Sequence, residues 1–411
     1  MKPDILDIHV IGHGLTATLE RDRNGEFLFT YRTDARTEIS LTMPLKDTPD
    51  HFQRLPPVLE TSLPEGALLE AIFEKLGKGI RLTDDFGILK LVGRNLVGRL
   101  AVVLSGEPID PPDPFPANEH LLHILRSHNS RELVTRAMVG LAERTGLSGV
   151  LPKTFAMSSE RETRVAIPAG KYILKTESQE YPGICVVEEV CMTACRKAGL
   201  GVPETILSDD GKSLLVKRFD LGEEGDRYGF EDFCALSGRS RKEKYDSSYE
   251  AVIKILSLFS TEPKKDIRIF FRFFALMHLL KNGDAHLKNF GMLYPSRENV
   301  RLSPVYDMVS TTPFLRKDTP ALTCAGKRSW LGTRKLVVFG IEQCGLTENE
   351  ALSSVRECME GIGETIPFLR DLYSRHPSES VARTLQIFEV SSKPERSSLS
   401  FSGHRNSKKG T

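Results

Sequence analysis

Asp284, Asn289 and Asp307 stand in an order that phosphoryl transfer uses. In Asn282-Gly283-Asp284-Ala285-His286-Leu287-Lys288-Asn289-Phe290, the pair Asp284 and Asn289 reproduces the D-x-x-x-x-N spacing of a kinase catalytic loop. There the Asp takes the proton of the substrate hydroxyl and the Asn holds Mg²⁺. Asp307, in Pro304-Val305-Tyr306-Asp307, is expected to be the second metal ligand. Such a reaction has a loose transition state, so catalysis is mostly positioning and charge neutralisation. Mg²⁺ then needs only one or two carboxylates beside the phosphate oxygens. The same Asn-Gly-Asp run also suits an Asx-rich turn, so the surrounding elements decide.

The loop needs a rigid support. Residues 267–280 are apolar and long enough for a buried helix, which Asn282-Gly283 is expected to end. A kinase site also needs a lysine for the phosphates and a partner for that lysine. Lys175 closes the short strand Lys171-Tyr172-Ile173-Leu174-Lys175, and either Glu188 or Glu189, in an expected helix over 187–198, could pair with it. Upstream, Thr145-Gly146-Leu147-Ser148-Gly149-Val150-Leu151-Pro152-Lys153 is a small-residue loop. Backbone N–H groups of such a loop can approach phosphates, and Lys153 can add charge, although an ordinary turn has the same composition. The strand Ser213-Leu214-Leu215-Val216 runs into Lys217-Arg218-Phe219-Asp220, a suitable hinge whose backbone can read adenine.

The N-terminal part is β-rich: strand-like segments over 8–11, 17–20 and 26–31, with Asn24-Gly25 as a hairpin turn. A helix is expected over 67–76 and a strand over 87–91. Five prolines between Gly106 and Asn118 exclude a helix or central strand and mark a boundary. Helical runs follow over 120–125 and 132–141. Beyond the hinge, 231–236 and 249–259 read as helix, and after Asp307 the sequence carries Trp330 and then mostly helical patterns through about Val390. The parts are therefore an N-terminal domain over 1–107, a linker over 108–118 and a nucleotide-binding lobe over 119–220. A helical lobe over 221–390 and a Ser/Lys/Arg-rich tail over 391–411, expected to be disordered, complete the chain.

With 411 residues, 40% of them hydrophobic and 27% charged, the chain has ordinary globular composition. A net charge of +1 argues against a broad nucleic-acid surface, so DNA is expected to be reached only through a partner. Arg268 and Arg272 interrupt the most apolar run, and no signal peptide is visible. A cytoplasmic protein without membrane contact is expected. The seven cysteines form no regular framework and read as buried thiols.

Together these segments resemble the HipA family, the serine/threonine kinase toxins of bacterial toxin-antitoxin pairs. The resemblance covers roughly 8–330. It includes Ser62-Leu63-Pro64-Glu65-Gly66, Val92-Gly93-Arg94-Asn95-Leu96-Val97-Gly98, the 148–153 loop, the hinge, and Glu231-Asp232-Phe233-Cys234-Ala235-Leu236, besides the 282–290 and 304–307 segments. It implies an α+β, two-lobed protein-kinase-like fold with a small β-rich N-terminal domain and a mostly helical C-terminal lobe. It also implies Asp284 as catalytic base, with His286 and Lys288 supporting the loop and the transferring phosphate, and Asn289 and Asp307 on Mg²⁺. Lys175 and the loop residues Ser148, Gly149, Val150 and Lys153 would contact ATP, with Lys217, Phe219 and Asp220 at the hinge. The implied partners are a HipB-like helix-turn-helix antitoxin and a protein substrate such as an aminoacyl-tRNA synthetase. In the family a serine of the glycine loop can be autophosphorylated. The first matching place here is Gly146, so Ser148 is the nearest candidate, and Lys217 stands where relatives often carry an acidic residue. A weakly catalytic scaffold and a small-molecule kinase are the competing readings.

Overall fold

The computed structural model describes residues 4–65, 69, 84–109, 125, 164–169, 171–222 and 226–393. The expected glycine loop, the helices over 67–76, 120–125 and 132–141, most of the Pro-rich linker and nearly all of the tail lie outside the described residues, apart from single positions.

An antiparallel sheet in the order β4-β3-β2-β1-β5 opens the chain: Asp4–Val10 (β1), Gly14–Arg21 (β2), Phe27–Tyr31 (β3), Asp50–Phe52 (β4) and Leu100–Leu104 (β5). Alternation explains β3, where Phe27, Phe29 and Tyr31 are buried and the residues between them are not. Two short helices, Pro57–Glu60 (α1) and Asp85–Val92 (α2), add Val58, Leu59, Phe86 and Leu89 to the same core. The strand expected over 87–91 is thus a helix. Asp84 caps it by accepting from the Gly87 amide, and Phe86 and Leu89 share one face at a spacing of three.

A second antiparallel sheet, in the order β6-β7-β9-β8, follows: Arg164–Ala169 (β6), Tyr172–Glu177 (β7), Thr205–Leu207 (β8) and Ser213–Lys217 (β9). Helix Ile184–Lys197 (α3) packs on it and on the long helix described below. A three-stranded sheet, Gly229–Asp232 (β10), Gly291–Ser296 (β11) and Asn299–Leu302 (β12), opens the helical part. Residues 231–236, expected as one helix, divide: Glu231 and Asp232 finish β10, and only Phe233–Leu236 (α4) is helical, capped by Asp232 on the Ala235 amide at 2.8 Å. Tyr249–Phe259 (α5), Pro263–Leu279 (α6), Thr333–Glu342 (α7), Glu348–Arg375 (α8) and Glu379–Ser391 (α9) complete the fold.

Helix α6 leads into the candidate segment over 281–290. Its Phe270, Phe271, Phe274 and Leu276 are fully buried, and Arg268 and Arg272 reach outward to Glu350 and Glu357. The left-handed residue after it is Lys281 (φ 59°), rather than the glycine two positions on. One apolar core runs from Cys185, Val187 and Leu214 through α6 to Phe339 and Phe388, and it takes in Leu41 of the N-terminal part. All seven cysteines are free thiols, five of them buried. Among the described residues no helix is long and apolar enough to cross a membrane.

Candidate active site

The Lys175 ammonium sits between two carboxylates, 2.5 Å from Glu188 Oε1 and 2.7 Å from Asp307 Oδ1. Strand β7 brings the lysine, α3 brings Glu188, and the segment after β12 brings Asp307. Glu188 is therefore the partner among the two candidate glutamates. Glu189 turns away and accepts from Thr193 at 3.3 Å. Lys175 is 8% exposed and Glu188 0%, so this is a buried pair whose geometry matters more than its net contribution to stability. The other oxygen of Asp307 accepts from Asn289 Nδ2 at 2.7 Å, while Asn289 Oδ1 is buried with no hydrogen-bond partner. Among the described residues no cluster of three His, Cys, Asp or Glu side chains could hold a metal ion; Asn289 and Asp307 bring together one amide and one carboxylate.

Backbone strain concentrates at the site. Of the described non-glycine residues, only Lys281, Asp307 and Ala325 have positive φ, and the first two flank the candidate residues. The loop between them is pinned from several sides. Gly283 N donates to Thr311 Oγ1 at 2.7 Å, and Thr311 in turn donates to Asp318. A Cβ on Gly283 would lie 2.0 Å from Asp318 Oδ2, which explains the glycine. Asn282 Oδ1 accepts from the Asp284 amide at 3.0 Å, so the Asx turn read from the sequence is part of the loop.

Asp284 is 40% exposed, with Oδ1 accepting from Tyr245 Oη at 2.8 Å. His286 Nε2 lies 4.0 Å from the same oxygen. Burial pulls the His286 pKa below its usual value, only partly offset by Asp284, so the imidazole is neutral at pH 7. Lys288 donates to the Thr61 carbonyl at 2.6 Å and to the Glu65 carboxylate, both in the N-terminal part.

A cavity of about 260 Å³ opens beside these groups. Lys175 and Lys288 lie on its wall with Val216, Phe219, Phe230 and Tyr306, whose last three rings pack at 5.4–5.9 Å. The hinge residues behave differently from one another. Asp220 is buried, holding Arg218 and the Gly98 amide at 2.7 Å, whereas Lys217 is 54% exposed and 3.5 Å from Glu204. Ser148, Gly149, Val150 and Lys153 lie outside the described residues.

Sequence reasoning assigned no role to Tyr245, Asp232, Thr311 or Asp318, and named Glu65 only within a motif. Asp232 lines the cavity, and burial pushes its carboxyl up to about 6 against the pull of Lys288. Only the N-cap position of Asp232, before an apolar helical turn, was open to local reading.

Two family models match this chain: the HipA N-terminal domain over residues 6–103, and the HipA-like C-terminal domain over 145–366, more than half of the chain. Among curated proteins it is similar to one named "Putative kinase Y4dM" from Sinorhizobium fredii. The two are 28% identical, over 87% of this chain and 90% of that one. A second from the same organism, "Putative kinase Y4mE", is 24% identical over 90% and 95%. Among solved structures, HipA in the Shewanella oneidensis toxin-antitoxin complex with HipB and operator DNA superposes with a TM-score of 0.70. That match has 18% identity and covers 94% of this chain and 96% of that one, a likeness of fold. With both family models matching in order along an N-terminal sheet and a mostly helical C-terminal half, the chain belongs to the HipA family.

Proposed function

We propose that this protein is an ATP- and Mg²⁺-dependent serine/threonine protein kinase and the toxin of a toxin-antitoxin pair. The observation that supports it best is the Lys175 ammonium between Glu188 and Asp307, with Asn289 on the second Asp307 oxygen. Lys175 binds the ATP phosphates, and the hinge backbone at 216–220 receives the adenine in the cavity beside Phe219. Asp220 shapes that hinge through Arg218, and Ser148, Gly149, Val150 and Lys153, outside the described residues, are the proposed phosphate contacts.

Asn289 and Asp307 offer an amide and a carboxylate oxygen, hard donors that suit Mg²⁺, and the buried Asn289 Oδ1 with no hydrogen-bond partner supports that reading. When bound, the ion neutralises charge developing on the transferring phosphoryl group. Asp284, exposed enough to be reached, accepts the proton of the serine or threonine hydroxyl as its oxygen bonds to the γ-phosphorus and ADP leaves. Tyr245 holds the Asp284 carboxylate, the His286 ring lies beside it, and Lys288 meets the phosphoryl oxygens.

The named partner of the Shewanella structure supports a HipB-like helix-turn-helix antitoxin for this chain. A net charge of +1 suits DNA contact made through that partner. A translation component such as an aminoacyl-tRNA synthetase is the substrate proposed, with Ser148 as the site of self-modification. Incubation with γ-labelled ATP, Mg²⁺, a panel of synthetases and a panel of aminoglycosides tests this reading. Label on a synthetase is expected; label on a small molecule alone would reject the toxin reading.

A further inference from the structure

We infer that the N-terminal domain supplies a positioning residue to the catalytic loop. The Glu65 carboxylate, with the Thr61 carbonyl oxygen, fixes the Lys288 ammonium that the transferring phosphoryl group meets. This inference rests on the kinase reading above. Lysine is a point charge on a flexible four-carbon stem with three donors, so unless its end is tied down it samples many rotamers. Here two donors are committed, one to Thr61 O at 2.6 Å and one to Glu65 Oε1. The backbone of Lys288 is held as well, since Tyr306 Oη donates to its carbonyl at 2.7 Å.

The carboxylate is itself anchored. Its second oxygen, Oε2, accepts from Lys244 Nζ at 2.7 Å, so Glu65 cannot swing away with Lys288. The three side chains are 17%, 24% and 21% exposed for Lys288, Glu65 and Lys244, which weakens screening and orders the triad. Burial pushes the Glu65 carboxyl up, but Lys288 and Lys244 more than offset it, so it is ionised at neutral pH. Two ammoniums thus share this one carboxylate, with the Asp232 carboxyl close enough to Lys288 to feel its charge. Thr61, Ser62 and Leu63 line the same cavity as Lys175 and Lys288. Within the described residues, the site is therefore incomplete without the N-terminal domain.

The test uses the full chain and the variants Glu65→Gln, Lys288→Met, the double variant, and Lys244→Met. Three readouts are taken: phosphoryl transfer from ATP, melting temperature, and labelling of Lys288 by an amine-reactive ester followed by peptide mass spectrometry. Glu65→Gln is expected to lower kcat roughly tenfold to a hundredfold with KM for ATP within about threefold, the scale of a misplaced catalytic group. In the Lys288→Met background it should add no further loss. Lys244→Met, which takes away the anchor of Glu65 but not its contact to Lys288, should lower kcat in the same pattern and by less than Glu65→Gln. Lys288 labelling should rise several-fold in Glu65→Gln, with Lys244, which loses the same carboxylate, the one other lysine expected to change. If Glu65→Gln does not fold, Glu65→Asp, one methylene shorter, should show a smaller loss in the same pattern. An unchanged or raised kcat in Glu65→Gln, an equal loss with and without Lys288, or unchanged Lys288 labelling would overturn the inference. A wild type without phosphoryl transfer would instead refute the kinase reading, and the labelling comparison alone would then decide the role of Glu65.

Discussion

The catalytic loop and the Thr61–Glu65 turn meet at one ammonium group, yet they are built in different ways. The loop is held by its own half of the molecule: Asn282 turns it, Thr311 and Asp318 grip Gly283, and Tyr245 takes Asp284. The turn has meaning only across an interface. That interface is polar and extensive: Glu231 accepts from Ser40, the Leu41 amide and Tyr294, Asp220 accepts from the Gly98 amide, and Arg241 reaches Asp85. The difference teaches that the proposed base and metal residues are held by local contacts, whereas the Lys288 ammonium beside them is tied to the N-terminal domain.

The largest expected effect lies on the local side. Asp307→Asn takes the carboxylate from both Lys175 and Asn289, and phosphoryl transfer should fall by about 10³-fold, the scale of losing one charged group aimed at the reacting phosphate. Thermal melting should move by only a few degrees. The interface comes next. Glu231→Ala strands three donors in a fully buried place and should cost about 3 kcal/mol in urea unfolding, at roughly 1 kcal/mol for each lost bond. A loss confined to activity, with stability intact, would mean that the domains are not held together there.

Acid sensitivity separates the two regions further. His278, buried under the loop in α6, has its pKa lowered to about 3, first by burial and then by Lys281. The unfolded chain takes up that proton near pH 6.5, so stability is lost as pH falls from there. The loss between pH 7 and pH 5 is about 2 kcal/mol for this one group. His278→Gln keeps an acceptor for the Leu331 amide and should remove that slope. Asp232 works in the opposite sense: its carboxyl, raised to about 6, makes stability fall as pH rises from about 4 to 6. The difference between the variant and wild type is therefore the quantity to compare. The smallest effect is expected at Lys217, whose exposed pairing with Glu204 is worth little. Lys217→Ala should change stability by less than about 0.5 kcal/mol.

Much of this site could be read from single stretches of sequence. The support helix, the Asp284–Asn289 loop, Lys175 on its strand and the hairpin at Asn24-Gly25 all follow from spacing and turn chemistry within a few residues. What could not be read has a common physical cause. Residues 87–91 alternate like a strand, but a cap at Asp84 and a core on one side make them helical. Glu231 reads as the start of a helix, yet its carboxylate is used by Ser40 and Leu41, in the segment between β3 and β4 nearly two hundred residues earlier in the chain. The αL position fell on Lys281, and Gly283 is required by Asp318, a side chain that only the folded segment after Asp307 brings near. Gly98 is the same case: at φ 88° its amide faces Asp220, and a Cβ would press on the Phe230 backbone at 3.2 Å.

One measurement bears on the central claim most directly: transfer of labelled γ-phosphate from ATP to protein by the wild type and by Asp284→Asn under identical conditions. Asp284→Asn keeps the shape of the loop and can still accept from Tyr245 through its amide oxygen, but it cannot take a proton from the substrate hydroxyl. Incorporation by the wild type with a loss of about 10³-fold in the variant is the expected result. Equal labelling by both chains, or none by either, would contradict the assignment of this loop to phosphoryl transfer.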